Sequence, residues 1–334
     1  MSLKSTFNWL PVTTMPDGSE LRLPLHVVEG ARPGPTLGLT GVVHGNEVVP
    51  TVSTIRAVLE RLDPAELSGR VMAVPVCNPL GAGALSRHTP GDGANVNSVF
   101  WEPGHSRYTE PVKTVSQQIA EVLAQEVLAH LDYHIDFHSG ANHAVHMIEF
   151  TEDPVSREMA RAFNMPVLLH DEWRPGQMWR ESERLGAKVI VAECGGGGEL
   201  YHEWVERSVS GVLNVMRHLG MLPGKVEKPP RQYVVRGDGG HEQNAHILKP
   251  KEGGLIIPDP SITPRTMFDG QPVVGVPVLG RLLNMYDLSI RQTFETPFTR
   301  TILTAAVVTP SWAYPGSYAY ILFDADGPEV EVWD

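Results

Sequence analysis

The chain has 334 residues, of which 42% are hydrophobic, enough to bury one sizeable core and a second, smaller one. A formal charge of -12 with no run of Lys or Arg excludes the basic surface that tracks nucleic-acid phosphates or an anionic membrane, so the expected partner is a small molecule. Two cysteines, Cys77 and Cys194, make no disulfide framework, the first residues lack a signal-peptide layout, and no apolar run reaches the ~18 residues of a membrane span; a soluble, cytoplasmic protein is expected, and the sequence allows a homo-oligomer.

Up to about residue 224, short apolar runs alternate with helical patterns, as in an α/β layer structure. TLGLTGVV (36–43) reads as a buried strand, and Val52, Ile55, Leu59 and Leu62 mark one face of the helix after it. RVMAVPVC (70–77) reads as the next strand, with Pro75 pointing to a sheet edge or a bulge. Val115, Ile119, Val122, Leu123 and Val127 form a stripe of helical period. YHIDF (133–137) and AKVIVA (187–192) are strands, and Val205, Val209, Val212, Leu213 and Met216 give a last helix stopped at Gly220. Beyond Gly224, Pro and Gly punctuate short β-branched runs (QYVVRG, GLIIP, PVVGVPVL, RTILTAAVV, SYAYILF). The expected division is therefore an α/β domain over 1–224 and an all-β domain over 225–334.

His-x-x-Glu occurs three times, at His26/Glu29, His44/Glu47 and His146/Glu149. Residues three apart on a strand point to opposite faces, so the first and third pairs, in extended apolar runs, diverge. Only His44-Gly-Asn-Glu47 breaks its strand. A turn there can bring both groups to one side, as two of the three protein ligands of an open zinc site; the alternative is a helix cap. Asn78, His138 and Glu193 each follow a strand, where the crevice of an open α/β sheet binds ligands, so these groups can share a pocket. His138 lies on one strand face with His134 and Asp136, and Asp136 can orient a ligand. His143 and His146 are rival third ligands. Glu193, followed by Gly195 to Gly198, suits a general base that deprotonates a zinc-activated water, against the alternative of a helix-cap partner. Arg87, in NPLGAGALSRHTPGDGANVNSVF (78–100), is a candidate to polarise a carbonyl.

In this order, His-x-x-Glu, Asn-Pro…Arg…Asp-Gly-x-Asn-x-Asn, Asp-x-His and strand-Glu-x-Gly, the chain resembles the succinylglutamate desuccinylase/aspartoacylase family over residues 36–222. The resemblance implies a zinc-carboxypeptidase-like mixed sheet flanked by helices, with a β-rich C-terminal domain. It implies zinc on His44, Glu47 and His138, Glu193 as base, Arg87 on the carbonyl oxygen, and Asn97, with Asn78 at the pocket, on the substrate. The chain departs from the family at Asn97-Ser98, where the family usually has Asn-Arg and the arginine grips a substrate carboxylate, and at Trp101-Glu102. The expected activity is zinc-dependent hydrolysis of the amide of a small N-acyl amino acid or N-acyl amine. The rivals are a carboxypeptidase-type peptidase and a metal-binding homologue without catalysis.

Overall fold

A computed structural model describes residues 4–100, 112–140, 142–172, 174–196, 201–237 and 244–334. The chain opens with β1 (Thr6–Thr14), β2 (Glu20–Glu29) and β3 (Arg32–Gly41), then α1 (Val48–Arg61), β4 (Ser68–Val74), α2 (Pro79–Ala84) and α3 (Val115–Glu126). There follow β5 (Tyr133–His138), β6 (Ala144–Phe150), α4 (Pro154–Ala162), β7 (Val167–His170), α5 (Met178–Arg184), β8 (Lys188–Gly196) and α6 (His202–His218). The remainder is β9 (Gln232–Arg236), β10 (His246–Leu248), β11 (Gly254–Pro258), α7 (Pro264–Asp269), β12 (Val273–Val274), β13 (Val278–Leu283), β14 (Ile290–Glu295), β15 (Arg300–Ala306), β16 (Ser311–Ala313), β17 (Tyr320–Asp324) and β18 (Val330–Trp333).

The centre of the large sheet runs β2-β4-β3-β5-β8-β6, and β4, β3, β5 and β8 are mutually parallel. Their carboxyl ends therefore lie together at one edge of the sheet. Both faces are covered, which is why these strands read as nearly continuous apolar runs. Ile55, Val58 and Leu59 of α1 pack with Val205, Val209 and Val212 of α6 on one side; Ile119 and Leu123 of α3 pack with Met178 and Trp179 of α5 on the other. Each such fully buried aliphatic side chain contributes about 1.5–3 kcal/mol relative to exposure. Helix α3 starts at a reciprocal cap, in which Thr114 Oγ1 accepts from the Gln117 amide and Gln117 Oε1 from the Thr114 amide. Helix α6 ends before Gly220, whose φ of 71° is the left-handed value that favours glycine.

Pro75 does not mark an edge or a bulge. β4 lies inside the sheet between β2 and β3, and its last paired residue is Val74, so the proline follows the ladder and removes no bond from it. β8 runs further than the apolar run suggests, because Glu193 to Gly196 pair with Met147 to Ala144 of β6. In the β-rich C-terminal part, β14-β13-β11-β16 form a four-stranded sheet of their own. Other strands there extend the large sheet: β15 joins the start of β6 and β9 joins β7, which borders the end of β6.

Candidate active site

The break in the first strand has a physical cause. Val42, directly after β3, has a φ of 54°, a left-handed conformation that costs a β-branched residue on the order of 1–3 kcal/mol. Two bonds from the segment after β4 hold it there: the Cys77 amide donates to Gly41 O and the Asn78 amide to Val42 O, both at 2.9 Å. The kink turns the chain off the strand towards α2. At Gly45 a Cβ atom would lie 1.9 Å from the carbonyl carbon of Gly81, so only glycine fits between His44 and Glu47. Glu47 occupies the N-cap position of α1 but makes no side-chain capping bond. Its carboxylate faces two histidines instead.

His44 Nδ1 lies 2.8 Å from Glu47 Oε1, and Nδ1 of His138, the last residue of β5, lies 3.0 Å from Glu47 Oε2. All three residues are buried, and their ligand atoms lie within 4.8 Å of one another. Two imidazoles and one carboxylate converging on a point are the donor set of an open zinc site, so the residues present fit such an ion and could bind a metal. Asp136 Oδ2 sits 2.8 Å from His138 Nε2, which leaves Nδ1 as the nitrogen turned to the group. Burial would push the Glu47 carboxyl up, but the imidazoles of His44 and His138 outweigh it and hold the group well below the ordinary carboxylate range. The Ser139 amide (3.4 Å to Oε2) and Arg87 Nη1 (3.4 Å to Oε1) complete its surroundings.

Glu193 pairs directly with His138 across β5 and β8. It lies within a strand, so the alternative of a helix-cap partner does not apply. Its Oε2 is buried without a hydrogen-bond partner among the described residues. Burial, with Glu149 and Glu47 adding to it and His138 opposing, raises the carboxyl to about 8. Of the glycines after it, a Cβ at Gly196 would lie 2.2 Å from Gly140 O, so what approaches there is the backbone of the loop after β5. Gly197 and Gly198, like Trp101 and Glu102, lie outside the described residues.

Neither rival histidine belongs to this group of ligand atoms. His146, on β6, lies against Trp204 and Phe268, and the His143 ring faces Tyr318 at 6.3 Å, although it is near enough to Arg87 and Glu47 for their charges to act on it. Asn97 Oδ1 accepts from the Met178 amide at 2.8 Å. Asn78 caps α2, with Oδ1 accepting from the Gly81 amide at 2.9 Å and Nδ2 donating to Thr89 Oγ1 at 3.1 Å. The side-chain amides of both residues thus tie neighbouring segments together: Asn97 the start of α5, and Asn78 the start of α2 and Thr89. Trp179 was not anticipated: its indole meets the His138 ring edge-on at 5.1 Å. Nothing in WRESER signals this, since a tryptophan in a helical stripe reads as core. The loop 174–177 is sewn to the Asn97-Ser98 turn. The Phe100 amide donates to Gly176 O at 3.1 Å, and a Cβ on Gly176 would lie 2.7 Å from Ser98 O.

Residues 33–219 match the model of the succinylglutamate desuccinylase/aspartoacylase catalytic domain. The chain belongs to this family. Among relatives, it is 28% identical over 275 residues, 79% of this chain and 74% of the other, to the N-alpha-acetyl-L-2,4-diaminobutyric acid deacetylase of Halomonas elongata. The same fold appears in a succinylglutamate desuccinylase/aspartoacylase from Rhodobacter sphaeroides, with a TM-score of 0.75, 23% identity and 96% of each chain covered. It appears also in the product-bound ectoine utilization protein EutE of Ruegeria pomeroyi, with a TM-score of 0.76, 22% identity, and 95% of this chain and 94% of that one covered.

Proposed function

We propose that the protein is a zinc-dependent deacylase that hydrolyses the amide bond of a small N-acyl amino acid or N-acyl amine. The observation that carries this reading is Glu193: a carboxyl group with a buried, unpartnered oxygen, paired across the sheet with one member of the His44, Glu47 and His138 group. Family membership supports it, as does the relative named for removing acetyl from a diamino acid. In this reading residues 1–224 carry the chemistry and residues 225–334 form the β-rich part beside it. The Trp312 carbonyl of that part accepts from Asn142 Nδ2, in the loop after β5, at 3.4 Å.

His44, Glu47 and His138 would hold zinc, which when bound supplies Lewis-acid polarisation and makes water nucleophilic near neutral pH. Glu193 takes a proton of the attacking water and returns it to the leaving amine, and the second proton of that water follows to the amine, so that amide and water become carboxylate and ammonium with no net proton left on the protein. Arg87, already against Glu47, faces the carbonyl oxygen as negative charge builds on it. Asn97 and Asn78 border the substrate path.

A hydrolysis screen of the zinc-loaded protein against N-acyl amino acids, mono-acylated diamines and short peptides tests this. Release of acid from the small N-acyl compounds is expected. Cleavage confined to the C-terminal bond of peptides would replace the deacylase with a carboxypeptidase.

A further inference from the structure

Behind His138 lies a second polar structure that hydrolysis itself does not use. Ser182 Oγ, on α5, lies 3.1 Å from His134 Nδ1, and His134 Nε2 lies 2.8 Å from Thr40 Oγ1. That hydroxyl donates to Asp136 Oδ1 at 2.5 Å, and the other oxygen of Asp136 meets His138 Nε2 at 2.8 Å. Ser182, His134, Thr40 and Asp136 are completely buried. The sheet register builds the chain of contacts: β3 and β5 pair Thr40 with Asp136, so the threonine stands on the face shared by His134, Asp136 and His138, beside both His134 and Asp136.

Counting hydrogens fixes the direction of every link. Asp136, as a carboxylate, only accepts. Thr40 has one hydroxyl hydrogen and spends it on Asp136, so towards His134 it can only accept, and His134 must carry its hydrogen on Nε2. Burial lowers the His134 imidazole to about 4, so the ring is neutral near pH 7 and its bare Nδ1 accepts from Ser182. At the other end His138 donates from Nε2 to Asp136, so that when the ring is neutral, as a metal ligand must be, its lone pair stands on Nδ1, the atom beside Glu47. Reversing one link sets two hydrogens or two lone pairs against each other where no solvent can relieve them.

We propose that Thr40, His134 and Ser182 are positioning residues, a one-directional relay anchored on α5 that holds the Nδ1 lone pair of His138 towards His44 and Glu47 and so sets the affinity of the site for its metal. The proposal rests on His138 being a metal ligand. The anchoring helix is also part of the pocket wall, since it carries Trp179 against His138 and Met178 against Asn97.

The first test uses the unaltered, zinc-loaded protein. Long-range ¹⁵N–¹H spectra of its imidazoles should show hydrogen on Nε2 and not on Nδ1 for both His134 and His138; an Nδ1–H form of His134 would overturn the relay. The second measures the zinc Kd by competition with a chromogenic chelator. Thr40→Val should weaken binding by roughly 10- to 100-fold, the range for losing a group that orients a ligand, and Thr40→Ser should restore most of it. Ser182→Ala, at the far end and the milder change, should act in the same direction by less and shift the His134 ring signals. Should Thr40→Val fail to fold, the Ser182 variant and the wild-type spectra decide. Native zinc affinity in Thr40→Val and Ser182→Ala, with zinc lost in His138→Ala, would sink the relay alone. Full zinc in His138→Ala would sink the ligand assignment and the relay's role with it, and the spectra would then report only a buried tautomer.

Discussion

The floor and the rim of the pocket are built on different principles. On the floor, the side chains of His44, Glu47, His138 and Asp136 are at most 4% exposed, and each is held by hydrogen bonds to named atoms. Of the arginines taken as the rim, Arg87, against Glu47, has a side chain 54% exposed, that of Arg180, paired with Glu183, is 49% exposed, and Arg174 is exposed as well. Buried charges need partners and fixed geometry, so a change on the floor disturbs the chemistry itself. Exposed cations interact weakly and can stand in for one another, so a change on the rim alters which substrate is accepted. In the proposed function, the reaction belongs to the floor and the selection to the rim.

The largest effects should follow from breaking the floor. His44→Ala and His138→Ala are each expected to lose zinc, measured by elemental analysis, and with it all but a trace of turnover. His143→Ala should keep the metal, and zinc retained in the first two but lost in the third would move the ligand to the loop.

Glu193→Gln should separate ligand from base. It retains zinc and the fold while kcat falls by ~10²- to 10⁴-fold, the usual range of a general base. A near-normal rate with unchanged zinc content would make Glu193 a structural residue, and the division of labour on the floor would have to be redrawn.

The smallest effects are expected on the rim, at Ser98. A charge-assisted bond from an arginine contributes roughly 1.5–3 kcal/mol, so serine in its place gives up about ten- to 150-fold of preference for an acid. Comparing N-acyl amino acids with their C-terminal amides by kcat/KM should therefore show weak discrimination. Whatever remains should fall in Arg174→Ala or Arg180→Ala, because the loop of Arg174 packs on the turn of Ser98 through Gly176. Discrimination above a hundredfold that neither variant reduces would mean that an unidentified cation holds the carboxylate.

Much of the floor is legible in the chain itself. The HGNE turn stands out because it interrupts a buried run, and His138 because alternation along YHIDFH sets it on one face with Asp136 and His134. The stripes of α3 and α6 show in the spacing of their apolar residues. The rim is less legible, since an arginine or asparagine in a polar loop looks the same whether it meets a substrate, a backbone amide or solvent. Asn97 and Asn78 show this: both looked like pocket residues, and the amide of each ties down a neighbouring segment.

Alone, the sequence determined the type of the elements with the clearest patterns, β3, α1, β4, α3, β5, β8 and α6, and the residues placed at or near their ends, because each depends on a side-chain period or a chain break within a few neighbouring residues; it passed over α4 and α5 and the short helix α7 in a tail that reads as all-β. Only the tertiary structure decided that β4 is interior, that α5 turns Trp179 onto His138, and that Thr40, an unremarked residue in an apolar run, stands between His134 and Asp136. These facts follow from the lateral order and register of strands, which join residues as far apart as Thr40 and Asp136, 96 positions along the chain. No local pattern records such a pairing, because one strand can present the same alternation to many different neighbours.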